Sequence, residues 1–171
     1  MEWIANWYLT YRTEGELAAG PGVHEIEGGL YIGSRDTNLY GFYLHENEPA
    51  WRLATGGAIE RTPFVNDMDL YVTADRVGLL RVNRKTLSGP DMLSLLEKRG
   101  LATVKQLEEV VKEPGVKITN AASILNMVLQ KGYITERQNR AVHFRGGERV
   151  WTVPDGDRML AVNPKYVYAM D

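Results

Sequence analysis

A chain of 171 residues, 44% apolar and 25% charged, has an ordinary globular composition and room for one domain with an inserted module. Its net charge of −2, from 20 basic and 22 acidic residues, supplies no strong field and argues against nucleic acid or an anionic membrane as partner. With no cysteine, disulfides, thiol catalysis and thiolate metal sites are excluded.

The opening Met1-Glu2-Trp3-Ile4-Ala5-Asn6 has neither a basic segment nor a long apolar run, so no signal peptide and no membrane span are expected in this chain. Next comes a repeat. Leu30-Tyr31-Ile32 returns forty residues on as Leu70-Tyr71-Val72, and Leu39-Tyr40-Gly41-Phe42 returns as Leu79-Leu80-Arg81-Val82. Upstream, Thr13, Gly15, Leu17, Pro21 and Val23 match Thr55, Gly57, Ile59, Pro63 and Val65 at an offset of forty-two. The difference of two falls in the turn before each Leu-Tyr, where length changes cost least. Within one unit, short runs rich in Tyr, Val, Ile and Leu predict strands near 50–54, 61–66, 69–74 and 78–83. Thr55-Gly56-Gly57 and Asp75-Arg76-Val77-Gly78 are the predicted turns.

The pattern breaks at Ser88-Gly89-Pro90, and apolar residues then follow helical spacing to about 144. This stretch has its own repeat: Arg99-Gly100-Leu101-Ala102-Thr103-Val104-Lys105-Gln106 matches Lys131-Gly132-Tyr133-Ile134-Thr135-Glu136-Arg137-Gln138. In each copy a glycine ends one helix and a threonine caps the next. Pro114-Gly115 divides the two halves, and Thr119 or Asn120 caps the third helix. A degenerate third copy of the first repeat closes the chain. Trp151-Thr152-Val153 echoes Trp51-Arg52-Leu53, and Tyr166-Val167-Tyr168-Ala169 takes the Leu-Tyr-Val place.

Units of about forty residues with four short strands each are the pattern of β-propeller blades. The fold expected is mainly β with an α insert: a partial β-propeller of two to three four-stranded antiparallel blades plus a roughly four-helix insert. The expected domains are 1–89 (blades), 90–146 (helical insert) and 147–171 (return to a blade).

Leu30-Tyr31-Ile32-Gly33-Ser34-Arg35-Asp36, followed by Pro49-Ala50-Trp51-Arg52-Leu53-Ala54-Thr55-Gly56-Gly57, resembles the repeat of pyrroloquinoline-quinone-like (PQQ-like) β-propeller proteins. The departures are Asn38, where the family often has Asp-Gly nearby, and His45-Glu46-Asn47-Glu48-Pro49 in place of a Thr-Gly before the tryptophan. The resemblance spans about 1–89 and 147–171. It implies a cell-envelope or periplasmic setting and either of two activities, since the family holds quinone-dependent dehydrogenases and non-enzymatic scaffolds. Family propellers have more blades than this chain can supply, so the remaining blades of a larger chain are implied partners. Self-association through open strand edges is the alternative. The helical stretch is similar, more faintly, to helical-hairpin modules beside bacterial kinase or secretion ATPase domains, which implies a regulatory module as a further reading.

Chemistry at individual positions is poorly supported. Gly28 to Ser34 has the outer glycines of a phosphate loop without its lysine. Ser34 lacks the Gly-x-Ser-x-Gly setting, and His24, His45 and His143 are scattered. Asn66-Asp67-Met68-Asp69 and Asp155-Gly156-Asp157 offer oxygens without a calcium-loop pattern. Trp3, Trp7, Trp51 and Trp151 invite a quinone platform, but Trp51 and Trp151 hold equivalent places and read as packing between blades, with Tyr31, Tyr71 and Tyr168.

The expectation is therefore a non-catalytic protein-binding scaffold with no cofactor, no metal and no catalytic residue. A quinone-dependent dehydrogenase portion is the alternative. The expected contact residues are Arg35, Asp36, Asp75 and Arg76 in the turns, and Gln106, Gln138, Arg137, Arg140 and Arg145 in the insert.

Overall fold

The structure is a computed structural model. It describes residues 11–44, 46, 48–154, 156, 158–162 and 167–170, the last two stretches by their backbone path alone. The chain divides into two units, Met1–Lys85 with Gly146–Asp171, and Thr86–Arg145.

The first unit is antiparallel β. One sheet runs β1 (Gly22–His24), β2 (Gly29–Gly33), β3 (Asn38–Tyr43) and β4 (Trp51–Ala54), each hydrogen-bonded to the next. The other runs β5 (Phe64–Val65), β6 (Asp69–Ala74), β7 (Gly78–Asn83) and β8 (Arg149–Val153). After β8, β9 (Arg158–Val162) and β10 (Val167–Met170) form a two-stranded antiparallel pair. Two four-stranded meanders in series, each linking neighbours in chain order, are the layout of propeller blades. The fold is mainly β with a helical part, a partial propeller.

The repeat is visible atom by atom. Thr13 Oγ1 donates to the Gly15 carbonyl at 2.6 Å, and Thr55 Oγ1 to the Gly57 carbonyl at 2.9 Å. Each of these glycines lies against a β-hairpin turn. A Cβ on Gly15 would stand 2.4 Å from the Asp36 nitrogen, and one on Gly57 would stand 2.0 Å from the Asp75 oxygen. No larger residue fits either place without moving backbone. Pro21 and Pro63 immediately precede β1 and β5, the first strand of each sheet, where a missing N–H is tolerated.

Strands 69–74 and 78–83 stand where the sequence places them, as β6 and β7. Their grouping is corrected. Residues 51–54 close the first sheet as β4, with Gly41 paired to Trp51, and do not open the second. The fourth strand of the second sheet is β8, which pairs with β7 from beyond the helical unit. A period gives spacing but not phase, and a strand shared out to either neighbour leaves the same forty-residue rhythm. The predicted strand at 61–66 shrinks to Phe64–Val65, because Pro63 removes a ladder donor just before it.

The core of this unit is built from Tyr31, Leu39, Ile59, Leu70, Leu80 and Val82, all buried. Tyr31, Gly41 and Trp51 form one row across the first sheet, and Tyr71, Arg81 and Trp151 form the matching row of the second.

The second unit holds α1 (Gly89–Lys98), α2 (Val104–Val111), α3 (Ala121–Gln130) and α4 (Glu136–Arg140). Ser88, Thr103, Asn120 and Thr135 cap them in turn, and three of the four caps are capping boxes. Gly100 and Gly132 follow the first and third helices at φ of 64° and 70°, the left-handed conformation a helix stop demands. α3 packs against the other three helices, and Met92, Leu96, Val110, Ile124 and Val128 form the buried centre. Among the described residues no helix is long and apolar enough to cross a membrane.

Candidate interaction surfaces

At one end of the β unit, the β2–β3 turn sits against the segment after Gly57, since the Ile59 amide donates to the Ser34 carbonyl at 3.1 Å. Ser34 is fully buried, and its hydroxyl accepts from the Asp36 amide at 3.2 Å. It helps to hold the turn. Asp36 is half-buried and also works inward. It accepts from the Tyr40 hydroxyl at 2.6 Å, the Asn38 amide at 2.9 Å and the Glu14 amide at 3.2 Å. Burial alone would raise its pKa, but these hydrogen bonds outweigh that and hold the carboxyl below its ordinary value. Burial, and then the bond to Asp36, push the Tyr40 phenol well up.

Arg35 faces outward from the same turn. Its guanidinium donates to Glu16 at 2.6 Å and to Glu60 at 3.0 Å, while all three side chains stay substantially in water. Such pairs contribute little to stability but fix the display of charge. On the β6–β7 turn, Arg76 is almost fully exposed, at φ 59°, and lies 3.6 Å from Asp75. A shallow polar cleft of about 190 Å³, lined by Ala58, Glu60, Arg61, Thr73, Ala74 and Asp75, lies between the segment after Gly57 and the β6–β7 turn, and Arg35 reaches its Glu60 from the β2–β3 turn. Arg35, Glu60, Asp75 and Arg76 thus share one charged face.

In the helical unit the glutamines act locally. Gln106 Oε1 accepts from the Thr103 amide at 2.8 Å, and Gln138 Oε1 from the Thr135 amide at 2.8 Å, closing the two capping boxes. Arg137 and Arg140 are exposed on α4, and the Arg145 guanidinium lies 5.6 Å from the centre of the Phe144 ring. A groove of about 610 Å³ runs between α1 and α2. Leu93, Val104, Leu107 and Val111 line it, with Glu97, Glu108 and Lys112 alongside.

Trp51 stacks on Tyr31 at 5.9 Å between centroids and donates its indole N–H to the Arg84 carbonyl at 3.0 Å. Trp151 meets Tyr71 at 6.0 Å with the rings inclined. The side chains of Trp3, Trp7, His45, Asp155, Asp157 and Tyr168 lie outside the described residues. Asn66, considered for calcium, instead accepts from the Met68 and Asp69 amides at 3.1 and 2.7 Å, and Asp69 pairs with Arg81. This is a self-bonded turn.

Sequence reasoning missed Arg84. It is fully buried, donating to Glu27 at 2.5 Å, to the Tyr31 hydroxyl at 3.2 Å and through Nε to the Asp67 carbonyl at 3.1 Å. Lys85 binds the same Glu27 at 2.8 Å. Burial would raise the Glu27 pKa, but the bonds from Lys85 and Arg84 prevail and lower it. The clasp ties the β1–β2 turn of the first sheet to the end of β7 in the second. A signal did exist: the place of Arg84 is held by Leu44 in the first copy of the repeat.

No family model matches the chain, and no curated protein matches it. Among solved structures the chain is similar to the crystal structure of BamB from Moraxella catarrhalis, at 14% identity and a TM-score of 0.39. That match covers 43% of this chain and 23% of the other, so it spans under a quarter of that protein's length.

Proposed function

We propose that this chain is a non-catalytic, protein-binding scaffold built on propeller-like blades. The observation that carries the reading is the division of labour at the β2–β3 turn. The groups with reactive potential, Ser34 and Asp36, are spent on holding the turn. The groups left facing water are the charged ones, Arg35, Asp75 and Arg76 on two hairpin turns and Glu60 on the segment that lies against the first of them. A rigid frame carrying charged loops suits recognition of another protein.

The test uses the full chain as bait, wild type beside a variant carrying Asp75→Lys and Arg76→Glu. A protein retained by the wild type and lost by the variant at matched folding supports the reading. Turnover of alcohols or sugars with added quinone and calcium would overturn it in favour of a dehydrogenase.

A further inference from the structure

The two helix hairpins of the second unit are copies, and they differ in one informative respect. Their capping boxes, Thr103 with Gln106 and Thr135 with Gln138, fix the register between α2 and α4. In that register Val104 matches Glu136, Leu107 matches Asn139 and Glu108 matches Arg140, where α4 ends before any counterpart of Val111. The second hairpin therefore closes with polar residues at the positions where the first places aliphatic ones. The hairpin itself does not require a valine at 104, and Val104 is 53% exposed. An exposed aliphatic that the local fold does not need, set beside the partly buried Leu93 and Val111 along a groove, marks a docking surface.

The chemistry of the groove narrows its occupant. Its floor offers aliphatic side chains and a single hydroxyl, Ser94, too few polar groups to orient a small polar ligand. Glu97 borders it from α1 and Glu108 from α2, against one cation, Lys112. Neither glutamate is ion-paired among the described residues. Glu97 also lies in the last turn of α1, where the carbonyl ends of the helix add negative potential. We infer that the α1–α2 groove binds an amphipathic helix of a partner protein, its apolar stripe on Leu93, Val104 and Val111 and its lysine or arginine edge on Glu97 and Glu108.

Groove binding presumes the protein-binding role proposed above. A groove variant that binds normally, while the turn variant loses its partner, would sink the groove and leave that role standing.

The experiment measures fluorescence anisotropy of a labelled synthetic helix with a leucine stripe and lysine edges, titrated with the full chain. Saturable binding is expected, weakened about fivefold by Glu97→Gln with Glu108→Gln and about tenfold by Val104→Asp. Circular dichroism checks that each variant is folded. Glu25→Gln with Glu46→Gln, which makes the same change in net charge on the β unit, should bind as wild type. Equal binding of a leucine–glutamate helix, or equal loss with the control pair, overturns the inference. So does concentration-dependent self-association abolished by Val104→Asp, which would make a second copy the occupant.

Discussion

Trp51 lies over Tyr31 at 24° between ring planes, with only Gly41 between them in the sheet. The glycine makes the stack possible, since a Cβ there would stand 2.2 Å from the indole. Gly41→Ala should push the indole aside and lengthen its bond to the Arg84 carbonyl. The expected cost is about 1–3 kcal/mol, the usual range for overpacking. Chemical denaturation with Trp51→Phe as the reference measures it. An unchanged midpoint for Gly41→Ala would show that the stack carries no strain limit.

The Arg84 clasp makes a pH prediction. The Glu27 pKa is lowered in the folded state from its ordinary value of 4.5. Its contribution is thus fully present above 4.5 and is lost as pH falls through the lower folded value. Glu27→Gln should flatten this part of the stability profile below about pH 5 and leave its slope near neutrality unchanged. Thermal melts from pH 3 to 7 on both proteins would reveal it, and parallel profiles would count against the clasp.

Removing Arg84 itself takes away a buried side chain and four hydrogen bonds to three partners. Arg84→Ala should cost about 2–4 kcal/mol, combining a cavity with lost charge-assisted bonds. Arg84→Met, which keeps most of the volume, should recover part of that loss. Urea denaturation separates the two, and equal loss from both variants would assign the whole effect to the polar bonds.

The threonine caps predict additive effects. Thr103→Ala and Thr135→Ala should each cost about 1 kcal/mol, because each removes the hydroxyl that accepts from an N-terminal amide, while the glutamine keeps its bond from the cap residue's own amide. Helix content by circular dichroism during a melt reports both. If the glutamines matter for contact and not for capping, Gln106→Ala would leave the melt unchanged.

Much of the β unit was legible because the repeat marks it twice. The glycines at 15 and 57 and the paired Leu-Tyr runs occur in both copies and meet the same surroundings. The helix boundaries were legible for a local reason, since a C′ glycine and a capping threonine act within a few residues of themselves. The owner of residues 51–54 was not legible, because sheet membership is decided by hydrogen bonds to residues far along the chain. The buried Arg84 was hidden for a similar reason: its partners, Glu27, Tyr31 and Asp67, are remote in sequence and invisible to spacing. At the candidate surfaces, charge showed which residues could face a partner but not that Asp36 turns inward. The α1–α2 groove depends on which side of a short helix is left uncovered, and that is a property of packing.

The helical unit interrupts a sheet between its third and fourth strands, which has a consequence for the order of assembly. During synthesis β5, β6 and β7 emerge with one edge incomplete, and residues 84–148 must pass before β8 arrives. Closing so long a loop from an unfolded chain is slow. The helices need no such wait, for their contacts are local. Once they pack, the Leu87 amide bonds the Phe144 carbonyl at 2.8 Å, and the start and end of the insert stand side by side. The remaining loop is then a few residues long, and β8 is delivered next to the strand it must join. The insert is in this sense a built-in folding aid that shortens the time an open strand edge meets its neighbours in the cell.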